Sequence, residues 1–574
     1  MNRICLPPGA GNARRRRASS AAREELIAIQ KKIVERLEDE IRASIGHLSP
    51  EVKLYYDEYW KEVETFEGIA SKAELLEACA AADIVYCGDY HTLRQSQQTA
   101  RKLVEELAAR RPNVTVALEM VSIEHQAALD AYMAGTLDEK AFLAEIDYGN
   151  TWDFHWQPYR DLLAACRRRG LRVLAINSDP RASSAHLLER DFAAANVIVA
   201  EAEARPGSLI FVFDGDLHVA RDHLPLIVRS ALQARGLERR HVVVHQNAEP
   251  IYWALAEEGL ERVVDVVRIA RDCYCIFSAT PLVKLQSYLN WEQNHEELCG
   301  FVHPAWRMGE EERDYTEQMH ELVRTIADFL EIEEPGLDDF IVYTTGDLDF
   351  LRTLERDPRF RPRDIAEIRR QIESSESYFI PRANIIYLAD LSVHCAAEEA
   401  AHFINTVCAG FDGARRDPRD AFFYRAIKEA LGFFGSRIID HRRYCMSEAD
   451  CREFLHANRR KRLDGRARQL REVARIVLRQ REAERRWVET RRPPRAGSIY
   501  RLPPALGSAV VHTLGYIVGD KLHSALLSGK VQKKDVRALF YDPLAPGTAE
   551  ARYLALVESL DGVDHDAPAE SERF

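Results

Sequence analysis

Apolar positions along this chain fall into two regimes. Between about residues 69 and 290 they gather in short runs, at 83–87, 114–118, 171–176, 209–213, 242–245 and 264–269. Runs of this length, rich in Val, Ile and Phe, read as buried strands. Helical spacing fills the intervals. Leu103, Val104 and Leu107 mark a helix over 93–109, and further helices are expected at 124–133, 159–169, 184–204 and after Leu224-Pro225. Ser71 precedes Glu74 at capping-box spacing. Alternating strands and helices predict an α/β fold, a parallel or mixed sheet covered by helices. After about Trp291 the strand signal fades. Helical patterns dominate at 309–332, 361–375, 391–409, 417–438, 447–490 and 508–527, predicting a mostly α-helical C-terminal region. Upstream, residues 1–20 are dominated by Arg, Ala, Gly and Ser and are expected to be disordered. Leu26, Ile29, Ile33, Leu37 and Ile41 then mark an amphipathic helix, and Ser49-Pro50 opens a second one. The expected domains are therefore 1–68, 69–290 and 291–574.

The ends of the strands carry the chemistry. The first runs into Gly88-Asp89-Tyr90-His91, and the fourth into Gly215-Asp216-Leu217-His218. Between them, one strand ends at Glu119 and another at Asn177. Open α/β sheets bind ligands at the carboxyl ends of their strands, so these residues are expected to share one mouth. Neutral imidazole suits a haem iron or a borderline metal ion, which makes His91 and His218 candidate ligands. Glu119 is a candidate general base, metal ligand or acceptor for a histidine N–H. Asp89 and Asp216 precede their histidines equivalently and either orient the imidazoles or cap the following helices. Tyr90 and Tyr159 are candidate phenolate ligands or stacking walls. Trp152, Phe154, Trp156 and Tyr159 either line an apolar pocket or pack in the core.

Composition narrows the classes. The 574 residues carry a net charge of -12, which gives no general nucleic-acid signal. Arg is dense over 458–492, but Glu472, Glu482 and Glu484 supply local partners, favouring a solvated helix. No apolar run reaches membrane-spanning length, and the basic start has no apolar stretch behind it, so a cytoplasmic location is expected. The 11 cysteines are scattered and read as reduced, packed thiols; Cys273-x-Cys275 lacks the paired spacing of a zinc knuckle.

The ordered series of strand ends resembles the ChaN-type haem-binding uptake proteins of the Tiki/TraB/erythromycin-esterase superfamily, over residues of about 69–225. The matching features are Gly88-Asp89-Tyr90-His91, the Gln-rich Arg94–Gln98, Glu119-Met120-Val121, and Gln126 with Asp130 and Tyr132. They continue through Trp152–Tyr159, Asn177, Arg190-Asp191 and Gly215–His218. Asp89 departs from the family's Glu and has a shorter arm. The resemblance implies a bacterial iron-uptake protein that binds haem or another iron ligand, with His91, His218 or a tyrosine approaching the iron. Arg190 would meet an acidic group such as a propionate, or pair with Glu189 or Asp191. The superfamily implies an alternative: a hydrolase of ester- or peptide-like substrates in which Glu119, His91 and His218 activate water, with a divalent metal held by the same residues. A third alternative is a core that has lost its ligand and serves as a scaffold. The expected partner is a small molecule, with a homodimer as the expected assembly.

A second constellation lies in the helical region. His394, Glu398 and His402 share a face at i, i+4 spacing. Glu399-x-x-His402 and Glu317-x-x-His320 have the spacing of a di-metal carboxylate helix, with Glu429 a candidate third carboxylate. A single metal or a polar core cluster is the alternative.

Overall fold

The computed structural model describes residues 21–45, 48–152, 154–178, 186–298, 315–344, 350–373, 377–388, 392–411, 413–414, 416–463, 465–491 and 498–563. The disorder expected for residues 1–20 lies outside these. The chain divides into two compact units, one built mainly from residues 32–309 and the other mainly from 310–569. Among the described residues no helix is long and apolar enough to cross a membrane.

Helix α1 (Ala21–Ile45) precedes α2 (Pro50–Glu62), whose N-cap Ser49 accepts from the Val52 N–H and whose first residue is Pro. The first unit is a mixed eight-stranded sheet with helices over it. Its strands are β1 (Gly68–Ala70), β2 (Ile84–Asp89), β3 (Val114–Ser122), β4 (Arg172–Asn177), β5 (Leu209–Gly215), β6 (His241–Gln246), β7 (Val266–Ala270) and β8 (Cys273–Ile276). The spatial order is β1-β7-β8-β6-β2-β5-β3-β4. From β8 to β4 every neighbouring pair is parallel; β7 and β1 close one side in antiparallel fashion. Every residue of β2, β3, β5 and β6 is buried, as strands covered on both faces require.

The helices that matter to the site are α3 (Arg94–Arg110), α4 (Trp156–Arg169), α5 (Leu187–Ala204), α6 (Leu224–Gln233) and α7 (Pro281–Leu298). One core cluster joins Leu103, Val104 and Leu107 of α3 to Leu162, Leu163 and Cys166 of α4 beneath Val85, Val116 and Phe211. Burying each such aliphatic side chain contributes about 1.5–3 kcal/mol.

The second unit is mostly helical. It also holds a small sheet, β9 (Ile341–Thr344), β10 (Tyr378–Ile380) and β11 (Ile385–Leu388), in the order β10-β11-β9. These strands are only three or four residues long, too short to stand out from helical patterns around them. Helices α8 (Val393–Ala409) and α9 (Pro418–Ile439) are followed by α10 (Glu448–Ala457), α11 (Gly465–Thr490) and α12 (Pro504–Leu527). The single helix expected over 447–490 is thus two. Helix α9 is packed against α8 and α12 and is buried almost throughout its second half. Glycines allow the close approach: a Cβ on Gly519 of α12 would run into the Ala430 carbonyl oxygen, and one on Gly435 into the Ala401 methyl.

Candidate functional site

Strands β2, β5, β3 and β4 are neighbours in that order, so the four strand ends picked from the sequence lie side by side. Asp89 sits level with Gly215, and Gly88 with Asp214. Strand β3 runs beyond its expected end to Ser122, with its register shifting between Leu118 and Ser122. Glu119 falls within that irregular stretch, and there its carboxylate reaches the β5 backbone. Its Oε2 accepts the Gly215 N–H at 2.8 Å. Bulges of this kind re-aim a side chain at a sheet rim.

The two histidines are held alike by different carboxylates. His91 Nδ1 lies 3.0 Å from Asp89 Oδ2, and His218 Nδ1 lies 2.6 Å from Asp191 Oδ1. Their other ring nitrogens turn toward Glu119, His91 Nε2 at 3.7 Å from Oε2 and His218 Nε2 at 4.0 Å from Oε1. Arg190 of α5 makes an ion pair with Glu119 Oε1. A carboxylate–imidazole contact on Nδ1 fixes the ring and leaves Nε2 to act.

Gly215 forms the floor between these groups. A Cβ there would stand 3.4 Å from His218 Cδ2, 3.4 Å from His91 Nε2 and 3.5 Å from Glu119 Oε2. Its absence opens the space on which the three side chains converge. Gly88 has a different use: a Cβ would collide with the Asp216 carboxylate.

Charges are strongly perturbed here. Burial opposes ionisation of Glu119, but Arg190, His91 and His218 outweigh it and bring the carboxyl down to about 2. Asp214, just before Gly215, goes the other way: burial and the neighbouring Glu119 charge push it well above its ordinary value. The protonated form of Asp214 is thus favoured beside Glu119, and its Oδ1 accepts the Gly215 N–H at 2.9 Å. Burial lowers the affinity of His91 for a proton, yet Glu119 and Asp89 more than compensate, and its pKa is raised. Asp89 is raised by burial, partly offset by His91, Tyr159 and Gln97.

Several sequence expectations are redirected. Asp216 does not orient His218; it pairs with Lys284 Nζ of α7 at 3.0 Å, and Asp191 takes the histidine instead. The Asp216 main chain bonds back to the Asp89 carbonyl, which carries its side chain toward α7. Arg190 pairs with Glu119 rather than with its chain neighbours. Tyr159 donates to Asp89 Oδ2 at 2.6 Å, and burial with that nearby charge pushes its phenol well up. Tyr90 lies under Lys284 Nζ, 4.6 Å from the ring centre, and its phenol is also pushed up, chiefly by burial. Neither tyrosine offers a ready phenolate. Asn177 is buried at the end of β4 with its Oδ1 unpartnered. Of the aromatic residues, Trp152 and Phe154 flank His91 at ring distances of 4.6 and 4.9 Å, and Trp291 lies against Phe154 in a tilted contact at 4.9 Å. Trp156 instead packs in the core among Tyr132, Phe142 and Tyr148.

Asp214 and Lys284 received no role from the sequence, and Asp191 only that of a neighbour to pair with Arg190. Asp191 was open to detection: it falls four residues after Leu187 and three before Ala194, on the buried stripe of α5. It is 1% exposed and also accepts the Tyr55 hydroxyl at 2.8 Å.

A divalent ion meets an awkward donor set. Glu119, Asp214 and His218 offer atoms within 4.8 Å of one another. Glu119 is already paired with Arg190, and an ion would have to sit beside that guanidinium. A haem iron would have to reach His91 Nε2 over the Gly215 floor beside Glu119, or His218, which is buried.

No curated protein matches the chain. The structure of cofacial heme binding to ChaN of Campylobacter jejuni is 14% identical and covers 31% of this chain and 86% of that one, with a TM-score of 0.24. The structure of the type III effector HopBA1 is 17% identical and covers 30% of this chain and 81% of that one, with a TM-score of 0.23. Residues 75–189, which span β2, β3 and β4, match the family described as haem-binding uptake, Tiki superfamily, ChaN. Over that segment, this chain's α/β unit is ChaN-like.

Proposed function

We propose that the α/β unit is a hydrolase that cleaves an ester-like bond in a small molecule by acid–base catalysis. One observation carries the reading: two imidazoles, each anchored at Nδ1 by a buried carboxylate, aim Nε2 at one carboxylate across a glycine floor. Binding alone does not need two oriented bases. The substrate carbonyl would lie over Gly215. His218, its Nδ1–H on Asp191, takes a proton from water at Nε2 as the water oxygen bonds to carbon. His91, whose conjugate acid is favoured by Glu119 and Asp89, gives its Nε2 proton to the departing oxygen as the carbon–oxygen bond breaks. A proton passing from His218 back to His91 restores the site. Glu119, at about 2, is too weak a base for the proton transfer itself. With Arg190 it fixes the two rings and steadies the charge that develops between them. The aromatic walls beside His91 suit a substrate with an apolar body.

The test is turnover of aromatic and aliphatic acyl esters of umbelliferone by the purified full chain. Hydrolysis lost in His218→Ala and kept in the presence of a chelator supports the reading. Hydrolysis that the chelator abolishes assigns the step to a metal ion. The family match favours a second reading, haem binding, and hemin titration of the same preparation tests it. A saturable Soret shift lost in His91→Ala/His218→Ala, with no ester turnover, would replace the first reading with the second.

A further inference from the structure

We propose that the helical unit holds one divalent transition-metal ion, of the zinc, iron or manganese kind, between Glu398 of α8, Glu429 of α9 and His512 of α12, with His402 beside them on the face of α8 that carries Glu398. Glu398, Glu429 and His512 offer donor atoms that lie within 4.8 Å of one another. They come from three helices, α8, α9 and α12. Mixed carboxylate and imidazole donors suit these ions.

His402 gives the independent observation. It follows Glu398 by one helical turn, so the two share a face. Its Nδ1 lies 3.3 Å from Glu399 Oε2, and that same oxygen accepts the Phe379 N–H at 2.7 Å. Metal-bound histidines are held this way, one ring nitrogen on a carboxylate and the other turned to the ion. The other nitrogen, Nε2, is buried without a hydrogen-bond partner. It occupies a notch in α9: a Cβ on Gly432 would collide with Nε2 and stand 3.0 Å from Glu398 Cγ. Gly515 of α12 provides a matching notch, where a Cβ would run into Glu429. The glycines thus bring all three helices close around the donors.

Glu398, Glu399 and Glu429 gather here, and Arg443 is the guanidinium paired with Glu398. The Tyr516 hydroxyl donates to Glu398 at 2.6 Å, so Arg443 and Tyr516 orient that carboxylate as outer partners of a metal ligand do. The ion would replace the 2.9 Å contact between His512 Nδ1 and Glu429 Oε2. Glu317 and His320 do not join: Glu317 is exposed, and His320 lies 3.3 Å from Asp338. His394 faces Asp440 at 4.0 Å. The donors therefore describe a single ion rather than the two-ion site that the repeated Glu-x-x-His spacing suggests.

The experiment loads the chelator-stripped full chain with Zn²⁺ or Mn²⁺, desalts it and measures bound metal by mass spectrometry. The wild type is expected to keep about one ion per chain. His512→Ala is the main variant, since that side chain is 50% exposed. Its affinity is expected to fall by about 10–100-fold, as is that of His402→Ala. Gly432→Ala, which fills the notch without removing a donor, is expected to lose the ion too. His218→Ala, in the other unit, is expected to keep it. A wild type that retains neither ion, or retention unchanged in His512→Ala, overturns the proposal. So does metal lost in His218→Ala alone, which would place the ion in the α/β unit.

Discussion

Asp191→Asn separates an acid–base site from a passive polar cluster. The carboxylate is buried and accepts two hydrogen bonds, from Tyr55 Oη at 2.8 Å and from His218 Nδ1 at 2.6 Å. An asparagine keeps the shape and can still accept from Tyr55. Facing His218 it presents an amide N–H instead, so Nδ1 must become the acceptor and the ring proton moves to Nε2. The imidazole then points a donor where it should offer a lone pair. Losing one charge-assisted hydrogen bond costs about 1.5–3 kcal/mol of stability. Losing the base costs about 10²–10⁴ in kcat/KM. The assay is twofold: ester turnover, and long-range proton–nitrogen NMR of the His218 ring, which reports the tautomer directly. The expected result is a tautomer switch with a collapse of turnover in a folded protein. A switched tautomer with unchanged turnover would refute the role given to His218. An unswitched tautomer would refute the Asp191 contact.

Arg190→Ala removes the guanidinium paired with buried Glu119 and leaves it only the two histidines and the Gly215 N–H, which costs up to about 3–5 kcal/mol at neutral pH. Because Glu119 sits near 2 when folded against an ordinary 4.5, the stability it confers is complete above pH 4.5 and drains as pH falls toward 2. The gap between variant and wild type should therefore narrow on acidification in urea unfolding, and a gap constant with pH contradicts the pairing. Gly215→Ala puts a methyl group 3.4–3.5 Å from His91, His218 and Glu119. These are ordinary contact distances, so stability in the same unfolding assay should change little. Turnover should fall about 100-fold because the substrate is displaced, and near-normal kinetics would show that the floor is not where the bond lies.

The parallel sheet was legible because its strands are continuous apolar runs, and the site because four of those runs end in polar residues. Which carboxylate serves which histidine was not legible. Asp89 and Asp216 occupy matching places, yet only Asp89 meets its histidine. Asp216 is drawn to Lys284, 68 residues downstream, and His218 to Asp191, 27 residues upstream. Such choices depend on the packing of α5 and α7 at the sheet edge, which no local pattern encodes. Asp214 was hidden because it falls between the apolar run 209–213 and the Gly215-Asp216-Leu217-His218 passage that drew attention. Its role as a proton-bearing partner follows from Glu119 lying beside it. In the helical region the periodicity located α8, α9 and α12 well. It could not show that Gly432 and Gly515 are contact points, since a glycine inside a helix marks close approach only once its neighbour is known.

The most direct measurement is ester turnover by His91→Ala, His218→Ala and the double variant. Acid and base acting on one bond form a unit, so each single substitution should forfeit nearly all that the double loses. Losses that multiply, or a single variant with wild-type kcat/KM, would contradict the account.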